Sequence, residues 1–214
     1  MPYKLALFDF DGTLADSFPW FTTVMNDAAD KFGFRRIAPE EVETLRGKSA
    51  REMIALMGVR TWKLPLIANY MRKRKAQDLD KVKLFTDAAP TLRRLHEAGV
   101  TLAIVSSNSE ANIRALLGPE TAALIAQYQC GASMFGKAKM FKSVLRQSGI
   151  NASDAICIGD ELRDLDSARA AGIAFGAVTW GYTHGAALRA QKPAHVFETF
   201  NELFTTVTGT PAQA

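Results

Sequence analysis

The sequence predicts an α/β fold: a parallel sheet with an all-helical segment inserted after its first strand. Beyond residue 83, short apolar runs alternate with helical segments, separated by glycine-containing turns, as in βαβ units. The first apolar run, Leu5–Phe8, stops abruptly at acidic residues, which is typical of a buried parallel strand. Residues 17–82 show helical periodicity and no strand pattern. We therefore expect one domain from residues 1–16 and 83–214, and an all-helical domain from residues 17–82.

Three helices are expected in the inserted segment. Apolar residues at helical spacing mark the first helix, which stops at Gly33 and has Ser17 as its expected cap. The other two helices are expected at Ala50–Met57 and Leu64–Gln77. Ser49 has a glutamate three residues later, which is the capping-box pattern at a helix start.

The rest of the chain alternates between strands and helices in a regular order. After the inserted segment, strands are expected at Thr101–Val105, Tyr128–Cys130, Ala155–Ile158, Ala174–Val178 and Ala194–Phe197. Helices are expected at Ala88–Ala98, Ala111–Leu117, Lys137–Gln147, Asp164–Ala171 and Thr199–Val207. Crossovers between parallel strands are almost always right-handed, and ligands bind beyond the carboxyl ends of the strands.

The net charge of +4 is concentrated in the inserted segment. Residues 17–82 contain 13 lysines and arginines against 8 acids, so the remainder of the chain is slightly acidic. The run Arg72-Lys73-Arg74-Lys75 has no interleaved aromatic residues, and we interpret it as a solvated helix end. We therefore expect no nucleic-acid partner.

The apolar runs and the cysteines indicate the compartment. The apolar runs of the sequence are shorter than the roughly 18 residues that a membrane-spanning helix needs. Cys130 and Cys157 lie in apolar stretches, as reduced core cysteines do. We expect a cytoplasmic protein without a membrane partner.

Polar residues follow several of the expected strands at the edge where ligands bind. They are Asp9, Asp11, Ser106, Ser107, Asn108, Lys137, Asp160, Glu161 and Asp164. Crowded carboxylates need a cation, and oxygen ligands suit Mg²⁺. A hydroxyl and a lysine beside such an ion form a clamp for a phosphoryl group. The edge is therefore predicted to bind Mg²⁺ and a small phosphorylated substrate.

Four motifs in this set resemble those of the haloacid dehalogenase superfamily. The stretch from Asp9 to Leu14 reads D-F-D-G-T-L and resembles the first motif, D-x-D-G-T-L. Ser106 resembles the second motif, Lys137 the third, and Gly159-Asp160-x-x-x-Asp164 the fourth. The resemblance spans almost the whole chain and implies a Rossmann-like sheet. It also implies that residues 17–82 are a helical cap between the first two motifs, and they are called the cap below.

The resemblance implies a role for each acid. Asp9 would attack phosphorus and form an aspartyl-phosphate, while Asp11 would protonate the leaving oxygen and then activate water. Mg²⁺ would be held by the Asp9 carboxylate, the Asp11 backbone carbonyl and Asp160. Asp164 would support these ligands or bind through water. Dehalogenase members lack the second aspartate, so Asp11 favours phosphoryl transfer.

The resemblance also implies ligands for the phosphoryl oxygens. Ser106 and Lys137 would bind them, with the backbone N–H of Ser107 as a further donor. Two alternatives remain open. Ser106 is also a candidate helix cap. Lys139 competes with Lys137, because Ala138 stands where the family often has proline.

Substrate choice is expected to lie in the cap. The loop containing Arg46, Lys48 and Ser49, followed by Arg51, resembles the cap loop of β-phosphoglucomutase and phosphoglycolate phosphatase members. A cationic loop indicates a substrate with a second negative group, such as a carboxylate. The alternative is that these charges only solubilise a helix. Residues 181–185 resemble a W-G-Y stretch of phosphoglycolate phosphatase-like members.

These observations predict a phosphoric monoester hydrolase with Mg²⁺ as cofactor and 2-phosphoglycolate as a candidate substrate. The alternative function is a sugar-phosphate mutase of the β-phosphoglucomutase type. Phosphonoacetaldehyde hydrolysis would require a Schiff-base lysine in the cap. The intact set of Asp9, Asp11, Ser106, Lys137 and Asp160 argues against a binding module without activity.

Overall fold

The first strand lies in the middle of a parallel sheet in the computed structural model, which describes residues 2–131 and 137–210. The strands of the described residues are β1 (Leu5–Phe8), β2 (Ala15–Asp16), β3 (Lys83–Leu84), β4 (Thr101–Val105), β5 (Gln127–Gln129), β6 (Ala155–Gly159), β7 (Ala174–Val178) and β8 (His195–Phe197). Six of them form the main sheet in the order β5-β4-β1-β6-β7-β8, with every pairing parallel. The predicted α/β fold is confirmed.

The helices of the described residues are α1 (Phe18–Phe32), α2 (Val42–Leu45), α3 (Ala50–Leu56), α4 (Leu64–Gln77), α5 (Ala88–Glu97), α6 (Glu110–Ala123), α7 (Lys137–Ser148), α8 (Leu162–Ala171), α9 (Gly185–Ala190) and α10 (Phe200–Thr208). The expected helix end at Gly118 corresponds to a break inside α6. There Gly118 adopts φ 72° and ψ 164° before Pro119, and a short helical piece follows.

The central strand is buried on both faces. Leu5 and Leu7 pack in one apolar cluster with Phe141 of α7, whereas Phe8 packs in a second cluster with Leu92 of α5. This burial explains why the sequence of β1 is a continuous apolar run rather than an alternating one. None of the helices in the described ranges has the length and apolarity needed to cross a membrane.

The cap helices α1 to α4 have an apolar core of their own, built from Met25, Ile37, Leu45, Met57, Val59 and Ile67. Below them, β2 and β3 pair antiparallel, with Ala15 opposite Leu84 and Asp16 opposite Lys83. The chain therefore leaves the sheet and returns to it at neighbouring positions, through a two-stranded stem.

Candidate active site

The register of the sheet places the predicted site residues at one edge. Phe8 of β1 pairs with Ile104 of β4 and with Ile158 of β6. Two residues beyond these positions, Ser106 and Asp160 therefore stand on either side of the chain between Asp9 and Asp11. Both side chains are almost completely buried.

A buried lysine links two of the predicted acids. Lys137 Nζ lies 2.7 Å from Asp9 Oδ2 and 2.6 Å from Asp164 Oδ1. Burial alone would raise the pKa of Asp9, but the charges of Lys137 and Arg163 outweigh it and hold that pKa below its ordinary value. Asp9 is therefore an ionised carboxylate at neutral pH. Lys139, the competing lysine, is exposed on the surface of α7.

Three buried carboxylates approach one another closely enough to share a cation. Asp9, Asp160 and Asp164 each place an oxygen within 4.8 Å of the others. Asp164 Oδ2 is buried without a hydrogen-bond partner in the described residues. Burial and the nearby charges of Glu161 and Asp9 raise the pKa of Asp160 well above its ordinary value. A buried orphan oxygen in a cluster of repelling acids fits Mg²⁺, which prefers oxygen ligands.

Asp160 is held by groups on two loops. It accepts a hydrogen bond from Thr13 Oγ1 at 2.7 Å and another from the Tyr182 backbone N–H at 2.7 Å. Gly12 passes so close that a Cβ there would lie 2.2 Å from Asp160 Oδ2, and its φ of +81° also favours glycine. Gly181 is equally constrained, because its Cβ would lie 2.2 Å from Asp160 Cβ.

Asp11 receives hydrogen bonds from three different elements. Ser17 Oγ donates to Asp11 Oδ1 at 2.8 Å, and Asn108 Nδ2 donates to Oδ2 at 3.2 Å. Lys75 of α4 forms a salt bridge with Oδ1. Ser17 also shares a hydrogen bond of 2.8 Å with the Tyr182 hydroxyl. The start of the cap, its helix α4 and the loop after β4 therefore all fix this carboxylate.

Two interpretations of the sequence are corrected here. The run at 72–75 is not simply a solvated helix end, because Lys75 is only 4% exposed. Ile67, Met71 and Lys75 are spaced four apart and share the buried face of α4, and that spacing is the signal that could have identified Lys75. Ser17 occupies the cap position of α1 without a capping hydrogen bond, and its hydroxyl serves Asp11 instead.

Ser106 is not the cap of the following helix. Its Oγ accepts the N–H of Asn108 at 3.2 Å, whereas Ser109 caps α6 by accepting from the N–H of Asn112. Ser107 is half-buried and lines the cavity above the site.

The four cap residues have different surroundings. Arg46 donates to the carbonyl oxygens of Gly181 at 2.7 Å and Tyr182 at 3.1 Å. Arg46 and Lys48 line the cavity between cap and core. Ser49 caps α3, as predicted, and Arg51 is exposed in the first turn of that helix.

Comparisons with known proteins agree with the motifs. The haloacid dehalogenase-like hydrolase model matches residues 6–178. A phosphoglycolate phosphatase from Synechococcus elongatus is 31% identical over 203 residues, which cover 94% of this chain and 96% of that protein. Another, from Aliivibrio fischeri, is 29% identical with 94% of both chains covered. A solved haloacid dehalogenase-like family protein from Streptococcus pneumoniae has a TM-score of 0.77 at 21% identity, covering 95% of this chain and 97% of its own, and shares the fold.

Proposed function

Since the chain belongs to the haloacid dehalogenase-like hydrolase family, we propose that it is a Mg²⁺-dependent phosphatase that hydrolyses a small phosphomonoester through an aspartyl-phosphate. Its assignment as a phosphoric monoester hydrolase follows from the family and from relatives named phosphatases. The observation that supports the mechanism is the ionised, buried Asp9 beside Lys137, at the end of the central strand.

In the first step, an Asp9 oxygen bonds to phosphorus while the bond from phosphorus to the leaving oxygen breaks. Asp11 begins this step protonated and gives its proton to that oxygen, so the alcohol leaves neutral and the resulting Asp11 carboxylate pairs with Lys75. In the second step, Asp11 takes a proton from water, the water oxygen bonds to phosphorus, and the Asp9 carboxylate is released. Ser17 and Asn108 keep Asp11 at its position during both steps.

The remaining residues bind the phosphoryl group and the ion. We assign the phosphoryl oxygens to Ser106, the Ser107 N–H and Lys137. Asp9, the Asp11 carbonyl and Asp160 would hold Mg²⁺, with Asp164 behind them. The bound ion would neutralise the crowded carboxylates and the charge that develops on the phosphoryl oxygens.

Substrate and cellular location are part of the same proposal. The names of the relatives make 2-phosphoglycolate the first substrate to assay. Arg46, Lys48, Ser49 and Arg51 remain the proposed specificity residues of the cap. The mutase alternative is not favoured, because the relatives reported above are named as phosphatases. We also propose residues 17–82 as a cap domain on a core of 1–16 and 83–214, and a cytoplasmic location where both cysteines stay reduced.

The test is phosphate release with and without Mg²⁺ from the wild-type protein and from Asp9→Asn. Losing the nucleophile is expected to lower kcat by more than about a thousandfold. Asp166→Asn is the matched control, because Asp166 is an exposed acid on α8. Full activity in Asp9→Asn would contradict the proposed function. Incubation with a hexose 1-phosphate and a bisphosphate is expected to give free phosphate rather than a 6-phosphate.

A further inference from the structure

A cavity of about 270 Å³ lies between the cap and the site edge. Its boundary with the core is polar and consists of Asp11, Ser107, Asn108, Glu161, Arg163, Tyr182 and Thr183. Its walls in the cap are mostly apolar and include Phe18, Phe21, Met25, Met53, Met57 and Met71. The cavity is therefore continuous with the catalytic groups at one end and apolar at the other.

The position of Asp11 determines which part of a substrate enters this space. Asp11 must reach the leaving oxygen, whereas the phosphoryl group lies at the strand ends beside Asp9 and Ser106. Since Asp11 also lines the cavity, the carbon atoms attached to the leaving oxygen extend into the cap. The walls of the cavity therefore contact the alcohol part of the substrate.

Most cations that line the cavity already have partners within the protein. Arg46 donates to two backbone carbonyls, Lys75 pairs with Asp11, and Arg163 pairs with Glu161. Arg72 Nη1 lies 3.4 Å from the Ser107 carbonyl oxygen. Lys48 is the exception, because it lines the cavity and its side chain forms no hydrogen bond or salt bridge with another of the described residues. A carboxylate placed among the apolar walls would lose its hydration without regaining equivalent hydrogen bonds.

The methionines make the apolar walls adaptable. Met25, Met53 and Met71 come from α1, α3 and α4, and Met57 directly follows α3. Unbranched thioether side chains adjust their rotamers around ligands of different shape. Such a lining suits alkyl groups of varied length better than one small polar group.

We infer that this enzyme acts on phosphomonoesters whose alcohol part is an alkyl or similarly apolar group larger than glycolate. This substrate class rests on the proposed phosphatase function. It places the selectivity in the cavity walls of α1, α3 and α4, in addition to the charged loop at 46–51.

The test measures kcat/KM with Mg²⁺ for methyl, propyl and hexyl phosphate and for 2-phosphoglycolate. Primary alkyl alcohols are leaving groups of similar basicity, so chain length changes mainly the apolar area that is buried. We expect kcat/KM to rise by about fourfold for each methylene that the cavity accepts. Hexyl phosphate is expected to be a better substrate than 2-phosphoglycolate.

A variant that fills the cavity tests whether the cavity walls cause the dependence of kcat/KM on chain length. Ala68 lines the cavity from α4, whereas its neighbour Asn69 is exposed. Ala68→Phe is expected to lower kcat/KM for hexyl phosphate by at least about tenfold while sparing methyl phosphate. Asn69→Phe adds the same ring outside the cavity and is expected to change neither value. Circular dichroism and Tm verify that both variants are folded.

The outcomes separate the inference from the function on which it rests. Equal kcat/KM across the alkyl series in the wild-type protein, or a preference for 2-phosphoglycolate over every alkyl ester, overturns the inference and leaves the phosphatase function standing. Mg²⁺-independent release, or no release from any of the four esters, overturns both. The wild-type series decides the question even if Ala68→Phe does not fold.

Discussion

Lys75 of the cap forms a salt bridge with Asp11 of the core, so the cap contacts the carboxylate that we propose to transfer protons. The lysine side chain is 6% exposed and that of Asp11 20% exposed. Lys75 also lies over the ring of Trp20, with Nζ 4.6 Å from the ring centroid. Trp20 in turn donates to Asp78 at the end of α4. A continuous set of contacts therefore connects α1, α4 and Asp11.

Replacing Lys75 should impair catalysis more than stability of the sheet. In Lys75→Met, Asp11 keeps Ser17 and Asn108 as donors but loses its charged partner. We expect kcat to fall about tenfold, a fraction of what general acid–base catalysis usually provides. Steady-state kinetics measure this, and Lys75→Arg should restore part of the loss. Lys73→Met, on the exposed face of α4, should behave like wild type.

Gly12→Ala should weaken Mg²⁺ binding. A methyl group there collides with Asp160 Oδ2, so the carboxylate must move from its present hydrogen bonds. We expect a higher Mg²⁺ concentration for half-maximal activity. Gly99→Ala is the control, because Gly99 has φ +82° but open space around it. Equal Mg²⁺ requirements in the two variants would argue against a role for Gly12 in seating Asp160.

Lys137→Met should be damaging, and Lys139→Met should be silent. Removing Lys137 leaves Asp9 and Asp164 buried without their shared partner. We expect the free energy of unfolding, measured by urea denaturation without Mg²⁺, to fall by about 3 kcal/mol. Phosphatase activity should be lost as well. A Lys139→Met protein with the larger defect would reverse the assignment of these two lysines.

Stability should decrease in mild acid partly because of His195. Burial lowers the pKa of His195 below its ordinary value, and its Nε2 shares a hydrogen bond of 2.8 Å with the Tyr3 hydroxyl. In mild acid the unfolded chain therefore binds more protons at His195 than the folded chain does. The resulting loss in the free energy of unfolding is absent above about pH 6.5 and grows below it. Urea denaturation at pH 7.5 and 5.5 measures the difference. The loss should be smaller in His195→Gln and unchanged in His96→Gln, since His96 is exposed.

The sheet could be predicted because its strands carry two independent signals. Most of the expected strands are apolar runs, and the acids at residues 9 and 160 mark where β1 and β6 end. The short helices α2 and α9 were not predicted, since four and six residues are too few to establish a period. The helical piece after Gly118 escaped prediction because glycine and proline usually end a helix there.

The site was predictable where local sequence sets the geometry and not where tertiary contacts do. Asp9 and Asp11 lie two residues apart in the sequence, so local chain geometry alone keeps them close together. Lys75 reaches Asp11 across 64 residues, and its neighbours in sequence are also basic. From the sequence alone, a run of basic residues is interpreted as solvent-exposed, because the acidic partner of any one of them is not apparent. The same holds for Tyr182, which tertiary contacts bring to Asp160 and to Ser17.

The two-stranded stem brings the two ends of the cap together. Asp16 and Lys83 are paired neighbours, so a two-residue hairpin turn would span the gap left by removing everything between them. No strand of the main sheet would need to change its partner. Caps of other sizes can thus be exchanged at this junction while Asp9 and Lys137 stay in place. An exchanged cap would have to keep Ser17 and Lys75, because both hold Asp11 at its position.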